Sequence, residues 1–232
     1  MNTYRIADLL FSIECSGRTA KQAVPYLAET SDSPDFELKV TNEAIERFKQ
    51  KHPDAEITDW EYFLLNVKFC SCLLEKEGFV LHSSAVCQNG QAYLFSADSG
   101  VGKSTHTSLW KKCFPDAFII NDDKPAIRFA DGRFYVYGTP WSGSSPLNRN
   151  VKVPLKSVCF IERGDKNEIQ RIENRSEIFE KIMNQTLRRA GSEKTALLLG
   201  TLDKFITSVP FYRLRCLPDE NAARLAQGVM SR

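Results

Sequence analysis

A short run of small residues ending in a lysine and a serine is the stretch of this chain best suited to bind phosphate. It reads Ala97, Asp98, Ser99, Gly100, Val101, Gly102, Lys103, Ser104 and Thr105. An apolar run precedes it and a helix-compatible stretch follows, which is the strand–loop–helix context that a phosphate-binding loop requires. The loop N–H groups and the helix N-terminus attract phosphate oxygens, Lys103 can reach the outer phosphates, and the Ser104 hydroxyl can bind Mg²⁺. The sequence therefore predicts a nucleotide site, with one departure from the Walker A consensus: Ala97 replaces its first glycine.

Two acidic residues stand at the end of the next apolar run. Asp122 and Asp123 follow residues 117–120, which predict a short buried strand. In a β–α–β connection that passes through the phosphate loop, this strand end lies next to the loop. Mg²⁺–nucleotide chemistry needs a carboxylate near the metal, and phosphoryl transfer to a hydroxyl profits from a positioned base. The two acids can divide these tasks; the alternative is a solvated turn, because Asn-Asp-Asp is also good turn chemistry.

A histidine precedes the phosphate loop on a predicted hairpin. Residues 79–86 read as one strand, and Asn89-Gly90 is a strong two-residue turn that leads into the strand before the loop. Because hairpin strands run antiparallel, a residue near the start of the first strand lies opposite the end of the second. This places His82 beside the phosphate loop, where a role in the site competes with that of a histidine that only satisfies local hydrogen bonds.

A loop rich in small and hydroxyl-bearing residues covers positions 138–150. Its composition and length predict a mobile lid over the nucleotide or the acceptor, with an unspecialised surface loop as the alternative. Arg149 is its candidate functional residue, because a guanidinium can donate two hydrogen bonds to a transferring phosphate.

The first 56 residues carry no recognisable chemistry. Residues 4–14 predict a strand, Thr41 predicts a helix cap, and Thr58 predicts the cap of a long core helix. We expect a small α+β lobe that packs on the core, and a lobe for substrate recognition is the alternative.

Composition and net charge limit the class of protein to which this chain can belong. The chain has 232 residues, 42% hydrophobic and 26% charged, as a soluble globular protein with an adequate core has. Its net charge of +2 gives no electrostatic argument for binding nucleic acid or an anionic membrane. Seven scattered cysteines argue against a disulfide framework. No apolar run approaches the ~20 residues of a membrane span, and no signal-peptide core is recognisable, so we expect a cytoplasmic protein.

The spacing of these residues resembles that of HPr serine kinase/phosphorylase, whose catalytic domain is related to nucleotide-dependent phosphoenolpyruvate carboxykinase. The resemblance rests on Asp98-Ser99 at the start of the loop, on Asp122-Asp123 only nineteen positions after Lys103, and on His82 twenty-one positions before it. Most other phosphate-loop enzymes place their acidic metal residue further along the chain or on a different strand. The specific motifs lie within residues 78–162.

The resemblance implies a fold and a division of the chain. The fold class is α/β with α+β elements: a phosphoenolpyruvate carboxykinase/HPr kinase-like P-loop fold with a mixed sheet and a small N-terminal α+β region. Residues 57–232 correspond to the catalytic domain. Residues 1–56 do not look like the N-terminal domain of authentic HPr kinase, and their role stays open. Residues 138–143 also look like a motif of small kinase-like relatives found in bacterial gene clusters.

Carried over residue by residue, the resemblance implies how a donor is held. Lys103 and the amides of the phosphate loop hold the β- and γ-phosphates of ATP. Ser104 and Asp123 bind Mg²⁺.

The resemblance also implies how a phosphoryl group is transferred. Asp122 is the base on the acceptor hydroxyl, and His82 orients groups near the transferring phosphate. Arg149 corresponds loosely to a family arginine in the loop after the acidic pair. The region expected to recognise HPr is not identifiable, which leaves the acceptor open.

The leading hypothesis is an ATP- and Mg²⁺-dependent kinase that phosphorylates a hydroxyl of a peptide, a protein or a small molecule. A nucleotide-binding regulator or assembly factor without phosphotransfer is the alternative. Carboxykinase chemistry ranks lower, because oxaloacetate-binding arginines and a second metal site cannot be located. The expected partners are the nucleotide and the acceptor, with no nucleic acid and no membrane. A homo-oligomer is possible, since the kinase relative oligomerises through its catalytic domain.

Overall fold

Two β-sheets and the helices packed on them make up the part of the chain that the computed structural model describes, residues 1–54, 57, 59–186 and 192–232. The strands are β1 (Asn2–Ile6), β2 (Leu9–Ile13), β3 (Phe36–Leu38), β4 (Gly78–Val80), β5 (Ser83–Gln88), β6 (Gln91–Ser96), β7 (Phe118–Asn121), β8 (Ala126–Ala130), β9 (Arg133–Tyr137), β10 (Lys152–Arg163), β11 (Glu168–Arg171) and β12 (Phe211–Cys216). The helices are α1 (Gly17–Ala23), α2 (Asn42–Lys51), α3 (Trp60–Leu74), α4 (Lys103–Cys113), α5 (Arg175–Gln185), α6 (Ser192–Ser208) and α7 (Glu220–Met230). The predicted α/β class with a mixed sheet is confirmed.

The large sheet brings several strand ends to one edge. Its strands follow the order β4-β8-β9-β10-β6-β5-β7, and β12 pairs with β10 and β11. β6, β10 and β12 are parallel neighbours, while β5 lies antiparallel between β6 and β7. The residues that follow β6, β7, β10 and β12 therefore meet the residue that precedes β5 at one edge, which we call the site edge.

The hairpin of β5 and β6 sets the position of the histidine. The predicted turn at Asn89-Gly90 is confirmed: its residues have φ values of 50° and 70°, as a two-residue hairpin turn requires. The register pairs Ser83 with Ser96, the last residue before the predicted phosphate loop, residues 97–105. His82 consequently stands at the site edge.

β10 joins the two parts of the large sheet. Its residues 152–154 pair with β9, residues 155–160 with β6, and residues 158–163 with β12. The register with β6 shifts between Leu155 and Ser157, and such a bulge bends a strand. The bend curls the sheet and leads the end of β10 to the site edge.

Helices cover both faces of the strands that carry the site. Alternate residues of β6 point to opposite faces. Leu94 belongs to the core shared with α5 and α6, whereas Tyr93 and Phe95 pack against Trp110 of α4, with ring centroids 4.9 and 5.3 Å away. Burial on both faces explains why an apolar run precedes the phosphate loop.

The small sheet of β1, β2 and β3 packs against α3. Phe11 of β2 lies 5.2 Å from Phe69 of α3, and Phe69 lies 4.7 Å from Trp141, measured between ring centroids. All three side chains are fully buried. The N-terminal strands thus share a hydrophobic core with the loop at residues 138–150.

Two segments predicted as single strands are each divided. Residues 79–86 contribute to β4, which pairs with β8, and to β5, which pairs with β6 and β7. Residues 4–14 form β1 and β2, joined by a turn at Ala7-Asp8 with φ values of 54° and 62°. Neither glycine nor asparagine marks that turn in the sequence, so its usual signal is missing.

The observed helix caps agree in part with those predicted from the sequence. Thr41 caps α2 as predicted, because its hydroxyl accepts a hydrogen bond from the Ala44 amide. Thr58 lies outside the described residues, and the side chain of Asp59 caps α3 by accepting from the Tyr62 amide at 3.0 Å. Among the helices of the described ranges, none is both long and apolar enough to cross a membrane.

A close backbone approach at Gly138 yields a stability prediction. A Cβ atom at this position would lie 1.8 Å from the carbonyl oxygen of Arg149. We expect Gly138→Ala to lower the free energy of unfolding by about 1–3 kcal/mol in urea titrations, because backbone must move to make room. The control is Gly200→Ala on α6, where a Cβ meets nothing within 4 Å. This change should raise stability by about 0.5–1 kcal/mol. Equal effects of the two substitutions would contradict the packing seen at Gly138.

Candidate functional site

A cavity of about 410 Å³ opens at the site edge of the large sheet. Its walls come from the phosphate loop, the strand ends and the loop after β9: His82, Ser99, Gly100, Gly102, Lys103, Ser104, Thr105, Asp122, Asp123, Ser142, Gly143, Ser144 and Ser145. Most of the residues that the sequence singled out thus meet in one place. Asp98 and Val101 belong to the same loop without lining this cavity, and Arg149 lies elsewhere.

The segment predicted as the phosphate loop joins β6 to α4, which is the strand–loop–helix context expected from the sequence. Gly100 and Gly102 have φ values of 77° and 126°, a region that favours glycine, and Gly102 directly precedes the helix. Ala97 has no positive φ, so alanine at the position of the first consensus glycine causes no backbone strain. The first N–H groups of α4 have no partners within the helix and are available to an anion.

Lys103 is folded back onto the phosphate loop. Its Nζ donates hydrogen bonds to the carbonyl oxygens of Ala97 and Asp98, at 2.8 and 3.2 Å. Burial lowers the pKa of Lys103, and the carboxylate of Asp123 counteracts this effect. The amine of Lys103 therefore lies at the base of the cavity, within the loop that would surround a phosphate.

Asp122 is held by a chain of hydroxyl groups. Ser84 Oγ donates to Asp122 Oδ1 at 2.6 Å and lies 2.8 Å from Oγ1 of Thr107, one turn after Ser104 on α4. The backbone amide of Asp122 donates to the Leu147 carbonyl at 3.2 Å. These bonds connect β5, β7 and α4, and they orient the carboxylate at the cavity wall.

Asn121 shapes the turn that presents the two acids. Its side chain is fully buried, and its Oδ1 accepts from the amides of Asp123 and Lys124 at 2.9 and 2.7 Å. Its Nδ2 donates to the carbonyl and the hydroxyl of Thr139 at 2.9 and 3.2 Å. The strand end, the acidic pair and the loop after β9 are thereby joined through one amide group.

Asp123 forms a cluster with a histidine and a lysine. Its Oδ1 lies 3.2 Å from His82 Nε2 and 2.8 Å from Lys124 Nζ. Burial by itself raises the pKa of Asp123, but the hydrogen bond from His82 and the charge of Lys124 outweigh it and lower the pKa to about 2. Asp123 is therefore ionised at neutral pH. Lys124 immediately follows the acidic pair, and sequence reasoning did not assign it a role.

Gln185 links His82 to the phosphate loop. Its Nε2 donates to Asp98 Oδ1 at 2.7 Å, and its Oε1 lies 3.0 Å from His82 Nδ1. Because a carboxylate only accepts, the amide nitrogen faces Asp98 and the amide oxygen faces His82, so that Nδ1 of His82 is the donor. The backbone of Gln185 also accepts from the His82 amide at 2.8 Å. Gln185 lies 103 positions after His82, and no sequence pattern indicates the contact.

The loop at residues 138–150, which the sequence predicts as a mobile lid, packs into one wall of the cavity. Trp141 is fully buried, and its Nε1 donates to the Tyr62 carbonyl at 3.0 Å. A Cβ atom on Gly143 would lie 2.9 Å from the Cβ of Asp123, so the wall can approach the acid only because residue 143 is glycine. The serines at 142, 144 and 145 provide hydroxyl groups on this side of the cavity.

The structure does not bring Arg149 to the cavity. Its guanidinium carbon lies 4.6 Å from the ring centroid of Phe118, which begins β7, whereas Asp122 follows the other end of that strand. The stacking on Phe118 separates the guanidinium from the acids by the length of the strand. A different arginine contacts the phosphate loop: Arg163, at the end of β10, donates to the Gly100 carbonyl at 2.6 Å.

Comparisons with known proteins give a remote structural neighbour. No family model matches the chain, and no curated protein matches it. Among solved structures, the chain is similar to the HPr(Ser) kinase/phosphatase from Coxiella burnetii, with 8% sequence identity and a TM-score of 0.36. The match covers 66% of this chain and 92% of that one.

The cluster at Asp123 yields a prediction for the metal-free protein. A carboxyl pKa lowered to about 2 in the folded state stabilises the fold above the unfolded pKa near 4. This contribution of about 2 kcal/mol is lost as the pH falls from roughly 4 towards 2. Carboxyl-carbon NMR titration should therefore give Asp123 a low pKa that His82→Ala raises.

The matched control for this titration is His52→Ala. His52 contacts the ring of Phe48 on α2 and takes no part in the Asp123 cluster. We expect the control to leave the pKa of Asp123 unchanged. An ordinary pKa in the wild-type protein, or an equal shift in both variants, would contradict the cluster.

Proposed function

We propose that the chain is an ATP- and Mg²⁺-dependent phosphotransferase that phosphorylates a hydroxyl group, on a serine of a peptide or protein or on a small alcohol. The observation that carries this proposal is the meeting of a phosphate loop and an acidic pair in one cavity. Lys103 and Ser104 enter it from α4, while Asp122 and Asp123 enter it from the end of β7. These are the groups that phosphoryl transfer needs for positioning and for charge stabilisation.

The donor set of the cavity fits a magnesium-bound nucleotide. Mg²⁺ prefers oxygen ligands, keeps several waters and is commonly held by one or two carboxylates together with substrate phosphates. Within the described residues, no group of three or more His, Cys, Asp and Glu could form a complete protein cage. Ser104 and Asp123 would hold the ion, and the low pKa of Asp123 supplies the ionised carboxylate this requires. The bound ion would neutralise charge on the donor phosphates.

The remaining groups can serve the acceptor. Asp122, oriented by Ser84, would accept the proton of the attacking hydroxyl as a general base. His82 would keep Asp123 in position and orient groups near the transferring phosphate. Lys103 would leave the loop carbonyls and bind the outer phosphates, while the loop amides hold the donor in line.

The test compares four variants, Lys103→Ala, Asp122→Asn, Asp123→Asn and Asp203→Asn, in a transfer assay with labelled Mg·ATP and a cell extract as the source of acceptor. Lys103→Ala should abolish nucleotide binding, because the loop loses its cation. Asp122→Asn should retain binding and lower transfer by roughly 10²–10⁴-fold, as expected for loss of a base. Asp203→Asn, at an exposed position of α6, is the matched control and should behave like the wild type.

Two outcomes would overturn parts of this proposal. If Lys103→Ala loses nucleotide binding but the wild type labels no acceptor under any condition, the chain is a nucleotide-binding protein without transferase activity. If Asp123→Asn loses transfer with Mg²⁺ binding intact while Asp122→Asn weakens Mg²⁺ binding, the two carboxylates exchange roles.

Gln185 yields a separate prediction as a positioning residue. Gln185→Ala removes the bridge between His82 and Asp98, so we expect transfer to fall roughly tenfold through misplacement of the site, with little change in nucleotide affinity. Gln170→Ala, at an exposed position of β11, is the control. The readout is kcat against KM for the nucleotide. Parallel losses of kcat and of thermal stability in Gln185→Ala would reduce its role to that of a structural contact.

A further inference from the structure

Residues 144–146 form a short arc of the cavity wall that is fixed to the acidic pair at both ends. At its start, Gly143 lies so close to Asp123 that a Cβ atom on the glycine would be 3.3 Å from Oδ2 of the acid. At its end, the carbonyl oxygen of Leu147 accepts a hydrogen bond from the Asp122 amide at 3.2 Å. We call residues 144–146 the serine arc, and these two anchors hold it beside the two carboxylates.

Ser144 carries the unengaged hydroxyl group of this wall. Ser142 Oγ donates to the Ser145 carbonyl at 2.7 Å, and Ser145 Oγ accepts from the Leu147 amide at 3.3 Å. Within the described part of the chain, Ser144 Oγ has no hydrogen-bond partner, and the residue is exposed and lines the cavity. Its hydroxyl group is therefore available to a reactant bound in the cavity.

The order of the strands places the acids between the phosphate loop and the serine arc. Along the site edge, β6 leads into the loop, β5 lies next to it, and β7 follows with the acids. Asn121, the last residue of β7, pairs with Ala85 of β5 on one side and with Asn148, just after the serine arc, on the other. A donor held by the loop would direct its terminal phosphate towards the acids, with Ser144 beyond them. In-line transfer requires the attacking oxygen to lie opposite the leaving group in this way.

We propose that Ser144 is a self-phosphorylation site, modified by the active site of its own chain. This inference rests on the proposed function and names one hydroxyl group on which that function acts. Ser144 Oγ attacks the γ-phosphorus of ATP, so that an Oγ–P bond forms. The bond from that phosphorus to the bridging oxygen of the β-phosphate breaks, and ADP leaves with the electron pair. The hydroxyl proton goes to the carboxylate of Asp122.

The anchoring of the serine arc favours a reaction within one chain. A hydroxyl group held beside the acids meets the bound donor at a high effective concentration, whereas Ser144 of a second chain would first have to displace the arc. The product also limits the reaction. A phosphoserine carries a charge of roughly −1.5 to −2 at neutral pH, and next to Asp122 and Asp123 it would repel the phosphates of a second donor. We therefore expect one phosphate per chain.

The test incubates the purified full-length protein with Mg·ATP and measures its intact mass, with tandem mass spectrometry to locate the phosphate. The wild type should gain one phosphoryl group, on Ser144, and Ser144→Ala should gain none. Ser144→Thr keeps a hydroxyl group and should be modified at position 144 more slowly, because the added methyl group crowds the attacking oxygen. The matched control is Ser33→Ala, an exposed serine before β3 that does not line the cavity, and it should behave like the wild type.

A mixing experiment separates reaction within a chain from reaction between chains. Lys103→Ala keeps Ser144 but should not hold the donor, so it serves as a pure acceptor when it is mixed with the wild type. We expect phosphate on the wild-type chains alone, with a rate constant that does not depend on protein concentration. Phosphate on Ser144 of the Lys103→Ala chains at a comparable rate would contradict modification by the same chain.

The remaining outcomes separate this inference from the proposed function. If the wild type labels an acceptor from a cell extract but not Ser144, or if Ser144→Ala and Ser33→Ala incorporate phosphate equally, the self-phosphorylation site is overturned and the proposed function stands. If neither Ser144 nor any external acceptor is labelled, both are overturned together.

Discussion

The amide side chain of Asn121 makes four hydrogen bonds in a fully buried position, and the geometry of the site depends on them. Two of these bonds fix the backbone of the turn that presents Asp122 and Asp123. The other two hold Thr139 at the start of the loop that lines the opposite wall. A buried amide that lost any partner would carry a desolvation cost, so these parts keep a single arrangement. An aspartate at this position could accept the two backbone bonds but could not donate to Thr139.

The order of strands separates two kinds of chemistry on either side of the phosphate loop. β5 lies between β6 and β7, so the chain crosses over it through α4 before it delivers the acids. This arrangement places His82, which precedes β5, between the loop and the acids. On the other side, β10 and β12 run parallel to β6, and Ile161, Leu217 and Pro218 near their ends present apolar surface beside Glu162 and Arg163. Charged groups and apolar surface therefore face a common loop from opposite directions.

Much of this arrangement could be predicted from the sequence, because it depends on local patterns. The phosphate loop, the turn at Asn89-Gly90 and the cap at Thr41 each have a signature within a few residues. The position of His82 followed from the hairpin, since antiparallel pairing fixes which residues lie opposite each other. The division of residues 79–86 did not change that result, because the pairing of β5 with β6 is the part that matters.

Other features depend on contacts between distant segments, which a single sequence does not indicate. The turn at Ala7-Asp8 has two non-glycine residues at positive φ without the usual Asn-Gly signal, and Asp8 accepts a hydrogen bond from the hydroxyl of Tyr137, 2.7 Å away. Arg149 was a candidate site residue because it lies in the loop predicted as a lid and because a guanidinium can donate two hydrogen bonds to a phosphate. Its guanidinium stacks on Phe118 instead, which shows that the direction of a long side chain does not follow from its position in a loop.

The bridge made by Gln185 has a consequence for how much of the chain a working site requires. The residues that carry the sequence resemblance lie within positions 78–162, whereas Gln185 and the ends of β12 lie beyond them. A fragment that stopped after β10 would retain the complete set of motifs and would still be recognised by them. It would lack the amide that ties the histidine to the loop, and it would lack β12, which pairs with β10 up to the site edge. The segment that carries the motifs is thus shorter than the segment whose residues form the site.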